Sequence, residues 1–93
     1  MKIELNFPTN TSGLAGFPYG RSSYEKQVKD KYSDYNETLE LVFPDHITDV
    51  ASSFIQGFFS YLIEEVGYEG IEKNVVFKAC SKDLEESMRA RLY

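Results

Sequence analysis

The 93-residue chain has no tryptophan, one histidine and one cysteine, and these shortages exclude several kinds of chemistry. A single cysteine cannot form an internal disulfide, and one histidine with one cysteine cannot by themselves build a structural zinc site. The sequence also lacks a P-loop, a G-x-G-x-x-G motif and a G-x-S-x-G nucleophile elbow. We therefore predict that the protein is not an enzyme and that it uses no cofactor and no metal.

Long apolar runs are also missing. The most apolar segment, residues 54–63, is interrupted by glutamine, glycine and serine and is shorter than the roughly 18 residues that cross a membrane. No secretory signal is recognisable at the start of the sequence. We expect a cytoplasmic protein that does not associate with membranes, and we expect Cys80 to be a small buried residue at the end of an apolar strand.

Positive charge is scarce relative to negative charge, since ten basic residues face fifteen acidic ones and the net charge is −5. An acidic protein repels phosphate groups, so direct binding to nucleic acid is not expected. The acidic residues are scattered, which is typical of a solvated surface. The alternative interpretation is an acidic inhibitor from a mobile element that imitates a nucleic acid.

The sequence is rich in apolar residues, at 42%, and in regular alternation of strand and helix patterns. Period-two or β-branched segments predict strands at residues 2–7, 38–43 and 74–80. Helical periodicity predicts a helix after each strand. We therefore predict one α/β domain over residues 1–93, with the order β-α-β-α-β-α, no internal repeat, and a mixed or parallel sheet covered by helices on both sides or nearly so.

Capping signals suggest where the helices begin. The segment "SSYE" has the form of a capping box with Ser22 and Glu25, and it predicts the start of the first helix. Thr48 or Asp49 is a suitable N-cap for the central helix, and Gly67 is a suitable end. Ser81 is expected to cap the last helix.

Residues 8–20 form a predicted loop that is longer than most connections in a small domain, which favours a functional role. The loop is rich in glycine and proline and has room for one short extra strand or hairpin. An enzyme or a nucleotide-binding protein would need an anion pocket here, built from the three glycines of the loop and the arginine that follows it. These residues are Gly13, Gly16, Gly20 and Arg21.

Two segments resemble a known family. The strand "LELVF", a turn and "DVASSF" at a helix start resemble STAS domains, of which the anti-sigma factor antagonists are familiar examples. The segments "GRSSYEKQV" and "SSFIQGFF" are similar to the bacterial STAS-like domain family of unknown function, with Gly20, Ser23 and Glu25 at the matching positions. The chain departs from that family at Tyr24, usually glycine, and at Gln56, usually acidic. The resemblance implies a STAS-like fold and a regulatory module whose partner is a regulatory protein or a kinase-like ATPase.

The serine pair that opens the central helix has two interpretations. Ser52 and Ser53 can simply satisfy free N–H groups at a helix start. In STAS domains a serine at this place is a phosphorylation switch, although Asp49 here is separated from the serines by two residues. A helix N-terminus also favours anions, and Arg21 could approach the same edge of the sheet. We therefore name Ser52, Ser53, Asp49 and Arg21 as the candidate phospho-acceptor or anion site.

Exposed residues near this edge are expected to contact a protein partner. They are Phe17 and Tyr19 in the predicted loop, and Gln56 and Ser60 on the central helix. The loop aromatics could equally serve a homodimer.

Overall fold

A computed structural model describes all residues, 1–93, and confirms a single mixed α/β domain. Nine elements follow one another along the chain. In order, they are β1 (Lys2–Glu4), β2 (Gly13–Leu14), α1 (Phe17–Gln27), β3 (Leu39–Val42), β4 (Asp49–Val50), α2 (Ser52–Phe58), α3 (Ser60–Asn74), β5 (Val75–Lys78) and α4 (Lys82–Ala90). No helix has both the length and the apolar character needed to span a membrane.

The strands form two parallel sheets. The larger has three strands in the order β1-β3-β5, with Ile3 opposite Leu41 and Leu41 opposite Phe77. The smaller sheet pairs β2 with β4, so the short strand allowed for in residues 8–20 is present. Parallel pairing agrees with the prediction from alternating strands and helices, because a parallel connection needs a crossover.

Helices cover only one face of the larger sheet, which corrects the expectation that they cover both. Odd-numbered residues of the three strands face the core, whereas Lys2, Glu4 and Lys78 are exposed on the other face. Val76 is also on that face and is 37% exposed. The alternation of exposed and buried residues along "KIE" and "VFK" is therefore that of a sheet with one solvated face.

The first helix begins at Phe17, so the predicted capping box is wrong. Gly16 precedes the helix with a φ of 98°, and proline follows in the first turn, where its fixed φ suits a helix start. Ser22 and Glu25 therefore lie inside α1. The helix stops at Gln27, and Tyr32 is buried in the turns that follow it.

The central helical segment is divided. α2 ends at Phe58 and α3 begins at Ser60, and backbone hydrogen bonds across Phe59 keep the two nearly continuous. Gly67 interrupts α3 with a φ of 71°, a conformation that glycine adopts readily. The helix end predicted at Gly67 is thus a break, after which the helix resumes.

The last segment largely follows the prediction. Ser81 is the N-cap of α4, and its hydroxyl accepts a hydrogen bond from the Leu84 N–H at 3.1 Å. Cys80, however, is an exposed free thiol rather than a buried residue, because it follows the end of β5 at the surface.

The structure reveals an internal repeat that the sequence interpretation missed. The segment "IELNFP" at residues 3–8 matches "LELVFP" at 39–44, with four of six residues identical. The segment "FPYGRSSY" at 17–24 matches "FIQGFFSY" at 54–61, with four of eight identical. The first unit contains β1, β2 and α1, and the second contains β3, β4 and α2, so each unit has the same order of elements.

Equivalent parts of the two units contact each other. β1 pairs with β3, β2 pairs with β4, and Tyr24 stacks on its counterpart Tyr61 with ring centroids 5.9 Å apart. Gly16 meets Ser53 where the two helices begin, so α1 and α2 run in the same direction. The fold is therefore an association of two related units, completed by α3, β5 and α4.

Candidate functional site

The helices α1 and α2 cross at two glycines that occupy equivalent positions in the two repeats. A Cβ on Gly20 would lie 2.1 Å from the carbonyl oxygen of Phe54, and a Cβ on Gly57 would lie 2.1 Å from that of Phe17. Only glycine permits this approach of two backbones. The crossing holds α1 and α2 rigidly side by side and determines which side chains are presented near them.

Ser53 lies at this crossing. Its hydroxyl accepts a hydrogen bond from the Gly16 N–H at 3.0 Å, so it binds the start of α1 to the start of α2. Ser52 is exposed, and the N-cap position of α2 is Ala51, which has no side-chain cap. Ser53 therefore has a structural role, and Ser52 is the more accessible serine of the pair.

Asp49 is not the N-cap of the central helix. It lies on β4, and its carboxylate pairs with the Arg91 guanidinium at 3.0 Å. Thr48, the other N-cap candidate, donates its backbone N–H to the carbonyl oxygen of Ser12 at 2.8 Å. β4 continues to Val50 and α2 begins at Ser52, so the cap position falls on Ala51 and neither residue occupies it.

Arg21 is not brought to the serine pair. Its guanidinium carbon lies 4.4 Å from the centroid of the ring of Tyr61, which follows the C-terminal end of α2, whereas Ser52 and Ser53 are at the N-terminal end. The glycine-lined pocket that a nucleotide would need is also not assembled, because the backbone of α2 fills the space beside Gly20. The expected anion site is therefore dispersed over three separate places.

Three of the four predicted partner-contact residues converge around Gly57. The Phe17 backbone packs against Gly57, the exposed Gln56 precedes it, and the Ser60 hydroxyl donates to its carbonyl oxygen at 2.8 Å. The Phe17 side chain is 44% exposed. The structure thus forms one continuous surface from these residues.

Tyr19 lies on a different side of α1. Its ring makes edge-to-face contacts with Phe7 and Phe54, with centroids at 6.2 and 5.4 Å. It remains 41% exposed, but its ring packs on the aromatic cluster beneath the helix. Both loop aromatics in fact belong to the first turn of α1.

Arg21 and a residue that the sequence interpretation did not name, Tyr61, complete the surface around Gly57. The Tyr61 ring lies beneath two cations, Arg21 and Lys29, whose charged groups are 4.4 and 4.6 Å from its centroid. Neither cation makes a salt bridge. The repeat was the signal that could have identified Tyr61, because it matches the buried Tyr24 of the first unit and differs from it in exposure.

Groups with perturbed proton affinity lie away from this surface or beneath it. Burial, followed by the nearby Tyr35, raises the pKa of Tyr24 well above its ordinary value. Burial and the acidic Asp34 also raise the pKa of Tyr32.

His46 lies in the turn after β3, where its Nε2 is shielded from solvent and has no hydrogen-bond partner. No group of three or more acidic, histidine or cysteine side chains forms a metal-binding cluster.

We define the α1–α2 surface as Phe17, Arg21, Gln56, Ser60 and Tyr61. It combines an exposed aromatic ring, two hydrogen-bonding side chains and a cation–π pair on a rigid helix crossing. Such a surface can bind another macromolecule, and it contains no nucleophile aligned with a base. Comparisons with protein-family models, with curated proteins and with solved structures find no match to this chain.

Proposed function

We propose that the protein is a non-catalytic interaction module, of the regulatory kind found among STAS-like domains, which binds a partner protein through the α1–α2 surface. The STAS-like resemblance rests on the short sequence segments around Gly20 and Ser53. The location of the binding surface rests on the structure.

The exposure of Phe17 is the observation that carries the proposal. Its counterpart in the second repeat, Phe54, is fully buried, whereas Phe17 is 44% exposed. The same residue type at the same place in the repeat thus packs into the core in one unit and faces solvent in the other. Full burial of such a side chain is worth about 1.5–3 kcal/mol, and a partner that covered the remaining exposed 44% would gain somewhat less than half of that. An exposed aromatic held by a rigid backbone is the usual form of an interface anchor.

Charge strengthens the argument. Arg21 and Lys29 share one aromatic ring and have no acidic partner within the molecule, although the whole chain carries a charge of −5. Arginine and tyrosine are enriched among the residues that contribute most to protein interfaces. The local basic character also gives the surface a preference for a partner with acidic groups beside an apolar side chain.

The test compares partner recovery between matched variants. Phe17→Ser removes the proposed anchor, and Tyr68→Ser removes an aromatic of similar exposure, 42%, that lies on α3. We expect affinity capture from the native host to recover the same partner with the wild type and Tyr68→Ser, and to lose it with Phe17→Ser. Thermal unfolding of each variant shows whether the fold is intact. Equal recovery by all three proteins would contradict the proposal.

Ser52 is the residue at which we place a regulatory phosphorylation. It is exposed, whereas Ser53 is engaged by Gly16. A phosphate there adds up to about two negative charges close to the helix crossing and would weaken an apolar contact. Mass spectrometry of protein from its native host tests this point, with Ser52→Ala as the control. Absence of phosphate on Ser52 under all growth conditions would end the idea.

The second candidate function is an acidic decoy that occupies a basic groove of another protein. Four exposed glutamates on α3 favour it. They are Glu64, Glu65, Glu69 and Glu72. Salt separates the two candidates, because binding through the four glutamates should weaken steeply with ionic strength, whereas binding through Phe17, with only Arg21 and Lys29 beside it, should weaken much less. Substituting Glu65 and Glu69 with glutamine should abolish decoy binding and leave the α1–α2 surface unaffected.

We also propose a cytoplasmic location. The exposed free thiol of Cys80 is compatible with a reducing compartment, where such a group stays unpaired. Fractionation of the native host with an antibody against the protein tests the location directly.

A further inference from the structure

The strand β5 is an outer strand of the three-stranded sheet, and the direction of its backbone groups can be determined. Phe43 donates its N–H to the carbonyl oxygen of Lys78, so Lys78 and Val76 face the neighbouring β3. Backbone groups alternate in direction along a strand. The N–H and C=O groups of Val75, Phe77 and Ala79 therefore point away from β3, and the N–H of Val75 is bonded to the carbonyl oxygen of Ile71 at the end of α3.

Two of these outward groups are occupied by side chains of α4. Arg89 donates to the carbonyl oxygen of Val75 at 2.8 Å, and Glu85 accepts from the N–H of Ala79 at 2.9 Å. Glu85 and Arg89 are four residues apart on one helix, with the acid first, which is the favourable order for an ion pair. They form no such pair and bind the strand edge instead.

An open cleft of about 210 Å³ lies between the two side chains, and Phe77, Glu85 and Arg89 are among its lining residues. Since the carbonyl of Val75 and the N–H of Ala79 are taken, the outward groups of Phe77 are the free backbone groups between them. The Arg89 guanidinium also lies 5.0 Å from the Phe77 ring centroid, so it is held by packing as well as by its hydrogen bond.

The occupied groups are those that an antiparallel pairing with a second copy of β5 would use. In a pairing centred on Phe77, the two copies of Phe77 would exchange their N–H and C=O groups. Bonded positions recur every two residues, so next to this pair the carbonyl oxygen of Val75 would accept from the Ala79 N–H of the other copy, while the Val75 N–H stays bonded to Ile71. Val76 would then stand opposite Lys78 of the second copy, so no like charges meet.

The opposite edge of the sheet is protected in a similar way. The Gln27 side-chain amide binds both the N–H and the C=O of Asn6, at 2.7 and 2.9 Å. Lys2 and Glu4 add charge to that edge. Natural proteins use charged side chains and covered edges to prevent sheets from joining.

We propose that Glu85 and Arg89 are strand-edge caps that keep this protein from pairing with a second copy of itself through β5. The occupant of the uncapped edge is β5 of that second copy, in antiparallel orientation about Phe77. Once displaced, Glu85 and Arg89 can form their own ion pair along α4, which offsets part of the loss. This inference concerns a different surface from the α1–α2 surface and does not depend on it.

The test is the oligomeric state of the uncapped protein, measured by light scattering after size exclusion. Wild type is expected at its monomer mass of 10.7 kDa, and Glu85→Ala with Arg89→Ala at twice that mass. Glu85→Gln retains an acceptor for the Ala79 N–H and should remain monomeric, which separates the hydrogen bond from the charge. An uncapped variant that is folded and monomeric at every concentration would overturn the proposal, as would a dimeric wild type joined through β5.

Cross-linking checks the register independently of the mass. In a Cys80→Ser background, an uncapped chain with Val76→Cys is mixed with one carrying Lys78→Cys. A disulfide between the two chains is expected on oxidation, and none between two Val76→Cys chains. If the double alanine variant does not fold, Glu85→Ala alone frees one end of the edge and is tested in the same way. Binding of an added peptide with the β5 sequence without any dimer would refute the second copy as the occupant.

Discussion

Replacement of Gly57 by alanine has two opposing effects on stability, a gain in helix propensity and a clash between the two helices. In an isolated helix alanine is favoured over glycine by about 1 kcal/mol, so propensity alone predicts a more stable protein. In this structure the new Cβ would lie 2.1 Å from the Phe17 carbonyl oxygen, whereas real Cβ atoms essentially never approach within 3.0 Å of such a neighbour. The obstacle is backbone, which cannot rotate away.

The two helices must therefore move apart by about 1 Å, and overpacking of this kind is destabilising by about 1–3 kcal/mol or more. Separation also loosens the buried aromatic contacts around Phe58, which lies in the same helix. We expect Gly57→Ala to lower the free energy of unfolding by about 1–2 kcal/mol, because the clash is with backbone and puts the overpacking cost in the upper part of its range before the propensity gain is subtracted. For a domain of this size that is a large share of a total of about 5–14 kcal/mol.

The assay is urea denaturation at 25 °C followed by circular dichroism, with the slope compared between variants. Gly13→Ala is the matched control, because its Cβ would lie 3.9 Å from the nearest atom, an ordinary contact, and we expect a change within about 0.5 kcal/mol. Gly20→Ala should resemble Gly57→Ala. The double variant should lose less than the sum of the two losses, because either substitution alone already moves α1 away from α2. A Gly57→Ala protein as stable as the wild type would refute the close helix crossing.

Three further expectations concern stability. Ser81→Ala should destabilise the protein by about 1 kcal/mol through loss of the α4 N-cap. Ser87→Ala, inside the same helix, should be neutral or slightly stabilising, and the urea midpoints of the two variants show whether they differ in this way. Burial raises the pKa of Tyr24, so the folded protein keeps this phenol proton at a pH where the unfolded chain releases it, and stability should fall as the pH rises above about 10. Tyr24→Phe should flatten that decline in urea midpoints measured from pH 8 upward. An unchanged slope of midpoint against pH would show that Tyr24 is not the group responsible. Arg91→Ala should lower the melting temperature more than Asp49→Ala. Both variants lose the exposed ion pair, which contributes about 0–1 kcal/mol, but only Arg91→Ala also loses the hydrogen bond to the Val50 carbonyl oxygen of β4. Equal melting temperatures of the two variants would contradict this ranking.

The helix starts show where sequence patterns fail. Ser22 and Glu25 satisfy the local rule for a capping box, and Ser81 satisfies the simpler rule for an N-cap, but only the second prediction is confirmed. The difference arises from packing: the N-cap of α1 is Gly16, six residues before Ser22, and this longer helix lets Gly20 contact the backbone of α2. A local capping signal cannot show that a distant helix requires an earlier start.

The candidate site shows the same division. The sequence suggested Phe17, Gln56 and Ser60 as partner contacts near one sheet edge, and in the structure they lie around Gly57, with Phe17 in α1 rather than in a loop. It could not indicate that Arg21 would pack on Tyr61 rather than approach Ser52, because that choice depends on the angle at which two helices cross. The edge caps were equally hidden, as Glu85 and Arg89 have the spacing of an intrahelical ion pair.

What the sequence determined by itself is the alternating order of strands and helices, the parallel sheet, and the identity of the residues that fill the core. Those features follow from the periodicity of apolar side chains, which each segment carries locally. Tertiary structure alone decided which sheet face is left to solvent, which aromatic ring of the repeat is exposed and which backbone groups of β5 are covered. Each of these depends on how two segments far apart in the chain approach each other, and no local pattern encodes that distance.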